Sequence, residues 1–137
     1  TAIYTVLLSS DLDEDPMVEE VKGLTDGHLL LKRAIAESGR YPAIDILSSI
    51  SRLASRLLSP ENSLHASQIR SALSALQSEK ELLLLSGSSS ERLRTLGKAE
   101  DLINAFLAQE TLSQEPVSET LAGMKRLAEE LSLLKES

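Results

Sequence analysis

The chain has 137 residues, with 14 Lys and Arg against 21 Asp and Glu, for a net charge of −7. That acidity excludes nucleic acid or an anionic membrane as the main partner, because phosphate groups are bound by clustered Lys and Arg. Cysteine is absent, which excludes disulfides and thiolate metal sites, and an aromatic content of 2% excludes a base-stacking platform.

The two histidines, His28 and His65, lack metal-ligand spacing. The longest unbroken aliphatic run is Leu82 to Leu85, far short of the ~20 residues of a membrane-spanning helix. No N-terminal signal pattern is present, and the composition reads as that of a soluble cytosolic chain.

Thr1 to Leu8 is β-branched and apolar from the first residue, the pattern of a strand buried on both faces. Such a strand with no polar lead-in is expected in a piece cut from a larger protein. Asp11-Leu12-Asp13-Glu14-Asp15 reads as a solvated acidic loop; it lacks the glycine and terminal glutamate of an EF-hand Ca²⁺ loop. A short helix follows, capped by Asp15, with Pro16 at its first position, Glu19 and Glu20 near its positive end and Gly23 ending it. Gly27 to Lys32, around Leu29-Leu30-Leu31, is a second strand. Ala34 to Ser38 is a helical turn or two stopped by Gly39, and Pro42 to Leu47 is extended. Strands alternating with short helices predict a slice of an α/β sheet over residues 1–53.

Residues 54–137 are Ser- and Leu-rich and helical. Ser59-Pro60-Glu61 is a helix start, followed by Leu64, Ile69, Leu73, Leu76 and Leu83 at near-helical spacing. Gly87 to Ser90 is a loop, and Ser88 with Glu91 resembles a capping box. Leu93, Leu96, Leu102, Ile103, Phe106 and Leu107 mark one or two helices around Gly97. Pro116 opens a last helix whose stripe of Val117, Leu121, Met124, Leu127, Leu131 and Leu134 is expected to pack on its own bundle.

No catalytic constellation stands out. Gly97-Lys98 has neither the earlier glycine nor the following Ser or Thr of a phosphate-binding loop, and no Ser-His-Asp or Cys-His arrangement is present. Taken alone, Arg52 is a helix-start charge paired with an acid, Tyr41 is a buried core tyrosine, and His28 is a satisfied core histidine on an apolar strand.

Three segments carry more. YTVLL at Tyr4 to Leu8, TDGHLLLKRAIAE at Thr25 to Glu37, and GRYPAIDILSSISR at Gly39 to Arg52 resemble the rotary-type P-loop ATPases, above all the type III secretion and flagellar export ATPases. Ser59-Pro60-Glu61 and Asn104-Ala105-Phe106-Leu107 also match that family's helical region. The resemblance implies the C-terminal third of such an ATPase: residues 1–53 as the last strands of the nucleotide-binding core, residues 54–137 as an all-α helical domain. The Walker motifs and catalytic glutamate would then lie outside this chain, which alone would not hydrolyse ATP.

The resemblance also assigns roles. Arg52 matches the arginine finger that enters the ATP site of the neighbouring subunit. Tyr41, with Pro42 fixing the turn, matches the tyrosine on the adenine side of the chain's own site. Arg33 matches a family arginine and is expected to be structural, paired with Asp26 or Asp45. ATP and Mg²⁺ are the implied ligands of the parent. A homohexamer, central-stalk and stator-type regulators, and export chaperone–substrate complexes are its implied partners. Its implied place is the cytoplasm, peripheral to the inner-membrane export apparatus. Two alternatives stay open: the catalytic-type subunit of a rotary ATP synthase, and a non-catalytic helical interaction module. The second draws on departures from the family pattern at Ser9-Ser10-Asp11-Leu12, Ser86-Gly87-Ser88 and Glu100.

Overall fold

A computed structural model describes residues 1–7, 16–86 and 90–136. Residues 1–7 form no strand, and Ile3 and Leu7 are more than nine-tenths exposed. The expected buried strand is therefore not formed by them; Leu8 lies outside the described residues. A strand of the parallel, doubly buried kind needs hydrogen-bonding neighbours on both sides. Among the described residues none pairs with this segment.

The acidic loop and the Asp15 cap fall outside the described residues. Helix α1 runs Pro16–Leu24, with proline at its first position as the sequence requires. It buries Val18, and a Lys22–Glu19 ion pair of 2.8 Å lies along its side.

Strand β1 (Gly27–Leu31) and strand β2 (Ile44–Ser51) pair antiparallel. Between them lies α2 (Arg33–Glu37), closed by Gly39 at φ +85°, a left-handed conformation that glycine adopts without penalty. The register pairs Gly27 with Ser51 and His28 with Ile50, then Leu30 with Asp45 and Leu31 with Ile44. From the second match to the third, β1 advances two residues and β2 five, so β2 bulges out of the ladder over residues 46–49. Gly27 is required at the other end of the ladder: a Cβ there would stand 2.5 Å from the Ile50 carbonyl oxygen. The extended segment expected at Pro42 to Leu47 is thus a longer strand, set two residues later. Residues 41 and 42, joined by a cis peptide bond, form the turn into it.

A single turn, α3 (Ala54–Leu57), leads to three long helices: α4 (Pro60–Ser86), α5 (Ser90–Leu107) and α6 (Val117–Glu136). Ser59 caps α4, its Oγ accepting from the Asn62 N–H at 3.2 Å. The expected capping box at Ser88 lies outside the described residues. Gly97 does not divide α5, which passes through it as one helix.

The core forms where the three helices meet. Ile69, Ala72 and Leu76 of α4 pack with Ile103 of α5 and with Leu127, Ala128 and Leu131 of α6. Leu96, Phe106 and Met124 close its sides. The stripe of α6 therefore faces its own bundle, as the spacing predicts, although its first member, Val117, is exposed. Leu64 and Leu93 also fall on the solvent side. Gly123 lets α6 approach α5, since a Cβ there would meet the Phe106 ring at 3.1 Å. Ion pairs Lys80–Glu100 at 2.6 Å and Lys125–Glu61 at 3.1 Å bridge the helices at the surface, where such pairs contribute little.

Candidate functional site

The bulge in β2 leaves backbone groups that the β1 ladder does not satisfy, and side chains take them. Asp45 is the centre of this arrangement. It is buried, yet its carboxylate accepts from the Leu47 N–H at 3.0 Å, the Ser48 N–H at 3.3 Å and the Ser48 hydroxyl at 2.7 Å. Lys32 Nζ completes it at 2.6 Å. Burial pushes the carboxyl pKa up, but the hydrogen bonds from Lys32 and Ser48, with the Lys32 charge, outweigh this and hold it at about 2, below the ordinary 3.8.

The buried hydroxyl of Ser49 donates to the Asp45 carbonyl at 2.6 Å and accepts from the Leu30 N–H at 3.0 Å, standing in for a ladder bond. His28 Nε2 lies 3.1 Å from the Ser48 carbonyl, so it is the satisfied histidine that the sequence predicts. From the helical half, the Arg70 guanidinium donates to the carbonyls of Ile46, Leu47 and Ser49.

The two sequence-predicted site residues stand at opposite ends of β2. Tyr41 precedes it and is exposed, not the buried core tyrosine that composition suggests. Its backbone is held: its carbonyl accepts from the Gln109 N–H at 2.8 Å, which brings the loop after α5 against this turn. Pro42 is exposed beside it. Arg52 follows β2, and its partner is no acid. Its Nη1 donates to the Gly23 carbonyl at 3.0 Å and its Nη2 to the Lys22 carbonyl at 3.2 Å. These carbonyls belong to the last turn of α1, where intrahelical partners run out and the helix dipole is negative, so a guanidinium is favoured there. The Arg52 N–H also donates to the Asp26 carbonyl at 2.8 Å, which fixes the base of the side chain.

Arg33 pairs with neither Asp26 nor Asp45. It lies 3.6 Å from Glu37, one helical turn along α2, while the adjacent Lys32 takes Asp45. Lys32 precedes α2 in an extended conformation, next to the strand pair, whereas Arg33 already points along the helix surface.

Sequence reasoning missed Asp45 as a structural centre, and it missed Arg70 altogether. The Asp45–Ser48 spacing is a local signal, since Asp and Ser bond nearby backbone where the ladder is interrupted. Arg70 carries no such signal, because its acceptors are backbone groups more than twenty residues away. Among the described residues no group of three His, Cys, Asp or Glu stands where it could hold a metal ion, and no helix is long and apolar enough to cross a membrane.

Residues 1–51 match the family model of the ATP synthase alpha/beta family, nucleotide-binding domain. The fold is that of a segment from a nucleotide-binding chain of the ATP synthase type followed by helices. The chain is 37% identical over 134 residues to the type 3 secretion system ATPase of Pseudomonas syringae pv. tomato, covering 96% of this chain and 30% of the relative. It is 34% identical over 131 residues to the flagellum-specific ATP synthase of Bacillus subtilis, covering 93% of this chain and 30% of the relative. The solved structure of the assembled ATPase EscN, from the type III secretion system of enteropathogenic E. coli, superposes with a TM-score of 0.80 at 31% identity, over 93% of this chain and 32% of EscN. The chain belongs to the family of type III secretion and flagellar export ATPases, and it spans about 30% of the length of the curated relatives it matches.

Proposed function

We propose that this chain is the C-terminal part of an ATPase that powers type III or flagellar protein export. Residues 1–53 finish its nucleotide-binding core and residues 54–137 form its helical domain. The match of the nucleotide-binding family model to residues 1–51 supports that division. The phosphate-binding loop and the Mg²⁺ ligands belong to the rest of the parent, so this chain alone does not hydrolyse ATP.

The observation that carries the reading is the placement of Tyr41 and Arg52, both exposed, at the two ends of one strand. The eight residues of β2, at most roughly 26 Å long, set the two side chains apart, at opposite ends of the strand. Tyr41 and Pro42 lie on the adenine side of the chain's own ATP. Arg52 acts as an arginine finger on the ATP of the neighbouring subunit in a homohexamer.

The chemistry suits the residue. Charge spreads over the γ-phosphoryl oxygens in the transition state, and a planar, permanently charged guanidinium matches it. Two N–H groups of Arg52 hold the end of α1, and the guanidinium has further donors for phosphate oxygens. The parent is cytoplasmic, peripheral to the inner-membrane export apparatus. It works with central-stalk and stator-type regulators and with chaperone–substrate complexes. The test is Arg52→Ala in the full-length hexamer. ATP turnover should fall by about 10³-fold or more while ATP binding is kept. Turnover within a few-fold of wild type refutes the assignment.

A further inference from the structure

The strand between Tyr41 and Arg52 is tied to the helical half by the Arg70 side chain, and the turn before it by the Gln109 N–H on the Tyr41 carbonyl. Arg70, in the third turn of α4, donates through Nη1 to the Ile46 and Ser49 carbonyls and through Nη2 to the Leu47 carbonyl, the last at 3.1 Å. All three acceptors lie in the bulged stretch of β2, the part that the β1 ladder leaves open. Among the described residues no carboxylate forms an ion pair with Arg70. Its fork is given over to the strand.

The packing around it is open. Arg70 lines a cleft of about 540 Å³ together with Leu47, Ala54, Ser67 and Ser71. It also lines a second of about 450 Å³ with Ile46, Ile50, Ile69 and Phe106. Close-packed interiors move as one body because every displacement meets a neighbour. Here the helical half meets β2 through a guanidinium that borders two open clefts, so the hydrogen-bonded fork, and not a filled core, sets where the strand lies.

We propose that Arg70 is a positioning residue: it fixes β2 on the helical half and so holds Tyr41 and Arg52 in register with the nucleotides they serve. This rests on the arginine-finger reading of Arg52. The fork is what matters, since three carbonyls at different heights along a strand need a branched planar donor, which neither a lysine nor a hydrocarbon stem supplies. Displacement of β2 moves Arg52, and a misplacement of the order of 1 Å at a catalytic group costs up to about 10²-fold in rate.

Two measurements on Arg70→Met and Arg70→Lys test this. Methionine keeps the stem without donors; lysine keeps the charge without the fork. In the 137-residue chain, amide hydrogen exchange over residues 44–51 should quicken about tenfold in both variants while the buried stretch of α6 is unchanged. In the full-length ATPase, kcat should fall about tenfold or more at a temperature well below unfolding, where loss of stability alone leaves kcat unmoved. Glu61→Gln, which breaks an exposed pair on the same helix, should leave kcat unchanged. Wild-type exchange over residues 44–51 overturns the strut. Faster exchange with kcat within about twofold of wild type, in an enzyme that Arg52→Ala inactivates, overturns the positioning role. If Arg52→Ala itself leaves turnover intact, the reading of the site fails and the positioning role falls with it, while exchange still decides whether Arg70 holds the strand.

Discussion

Lys32 Nζ meets Asp45 Oδ2 at 2.6 Å, joining the residue just after β1 to the second residue of β2. The Asp45 side chain is 8% exposed, so its charge is held by this ammonium and by the Ser48 and Leu47 donors, with little help from water. Removing one partner of such a group leaves a buried charge or donor unpaired, which costs more than the pair contributes.

A pH dependence follows. The folded value of about 2 lies below the ordinary 3.8, so the ionised carboxylate is preferred by the fold. Asp45 therefore contributes stability that is present above pH 3.8 and is lost as the pH falls through about 2. The contribution is of the order of 2 kcal/mol. Urea midpoints of the chain should drop across that window, and Asp45→Asn should be less stable at neutral pH and show a flatter profile there. An unchanged profile in Asp45→Asn would assign the acid sensitivity to other carboxylates.

The helical half was legible in the sequence because its signals are local and periodic. Ser59 and Pro60 start α4 where the capping pattern puts them, and Ile69, Leu76, Ile103, Leu127 and Leu131 fill the core that their spacing predicts. The strand half was legible in outline only. Thr1 to Leu7 has the composition of a buried strand, but a strand is made by its neighbours, and among the described residues it has none. Tyr41 and Arg52 were found through resemblance; composition alone gave Tyr41 a core position and Arg52 an acid partner. The backbone carbonyls of α1 and β2, which Arg52 and Arg70 bind, leave no trace in a list of side chains.

Gly27 and Gly97 make opposite predictions. At Gly27 a Cβ would stand 2.5 Å from the Ile50 carbonyl oxygen and 3.2 Å from the Ser51 Cα, both backbone atoms that cannot rotate away. Gly27→Ala must shift the pairing at the end of β2 next to Arg52 and should cost about 1–3 kcal/mol. At Gly97, inside α5, nothing lies within 4 Å of the same atom. Gly97→Ala should stabilise by about 0.5–1 kcal/mol, the difference between glycine and alanine in a helix interior. Thermal unfolding of the two variants should move in opposite directions. A Gly27→Ala variant as stable as wild type would mean that the β1–β2 approach there is looser than the 2.5 Å geometry states.

Arg52 has two jobs in this reading, and one substitution can separate them. Its fork closes the C-terminal end of α1 by donating to the Lys22 and Gly23 carbonyls. Arg52→Ala uncovers both, so a loss of turnover in that variant mixes frayed structure with lost chemistry. Lysine keeps a positive charge near the negative end of the helix and can donate to one carbonyl at a time, which preserves most of the end stabilisation. It does not present a planar fork to the γ-phosphoryl oxygens. Arg52→Lys should therefore leave amide exchange over residues 16–24 near wild type in this chain, while turnover of the full-length ATPase still falls steeply. If exchange in α1 rises as much as in Arg52→Ala, the charge at the helix end contributes little and the geometry of the fork is what holds α1. If turnover survives in Arg52→Lys, a point charge suffices at the phosphate and the bidentate argument for this arginine fails.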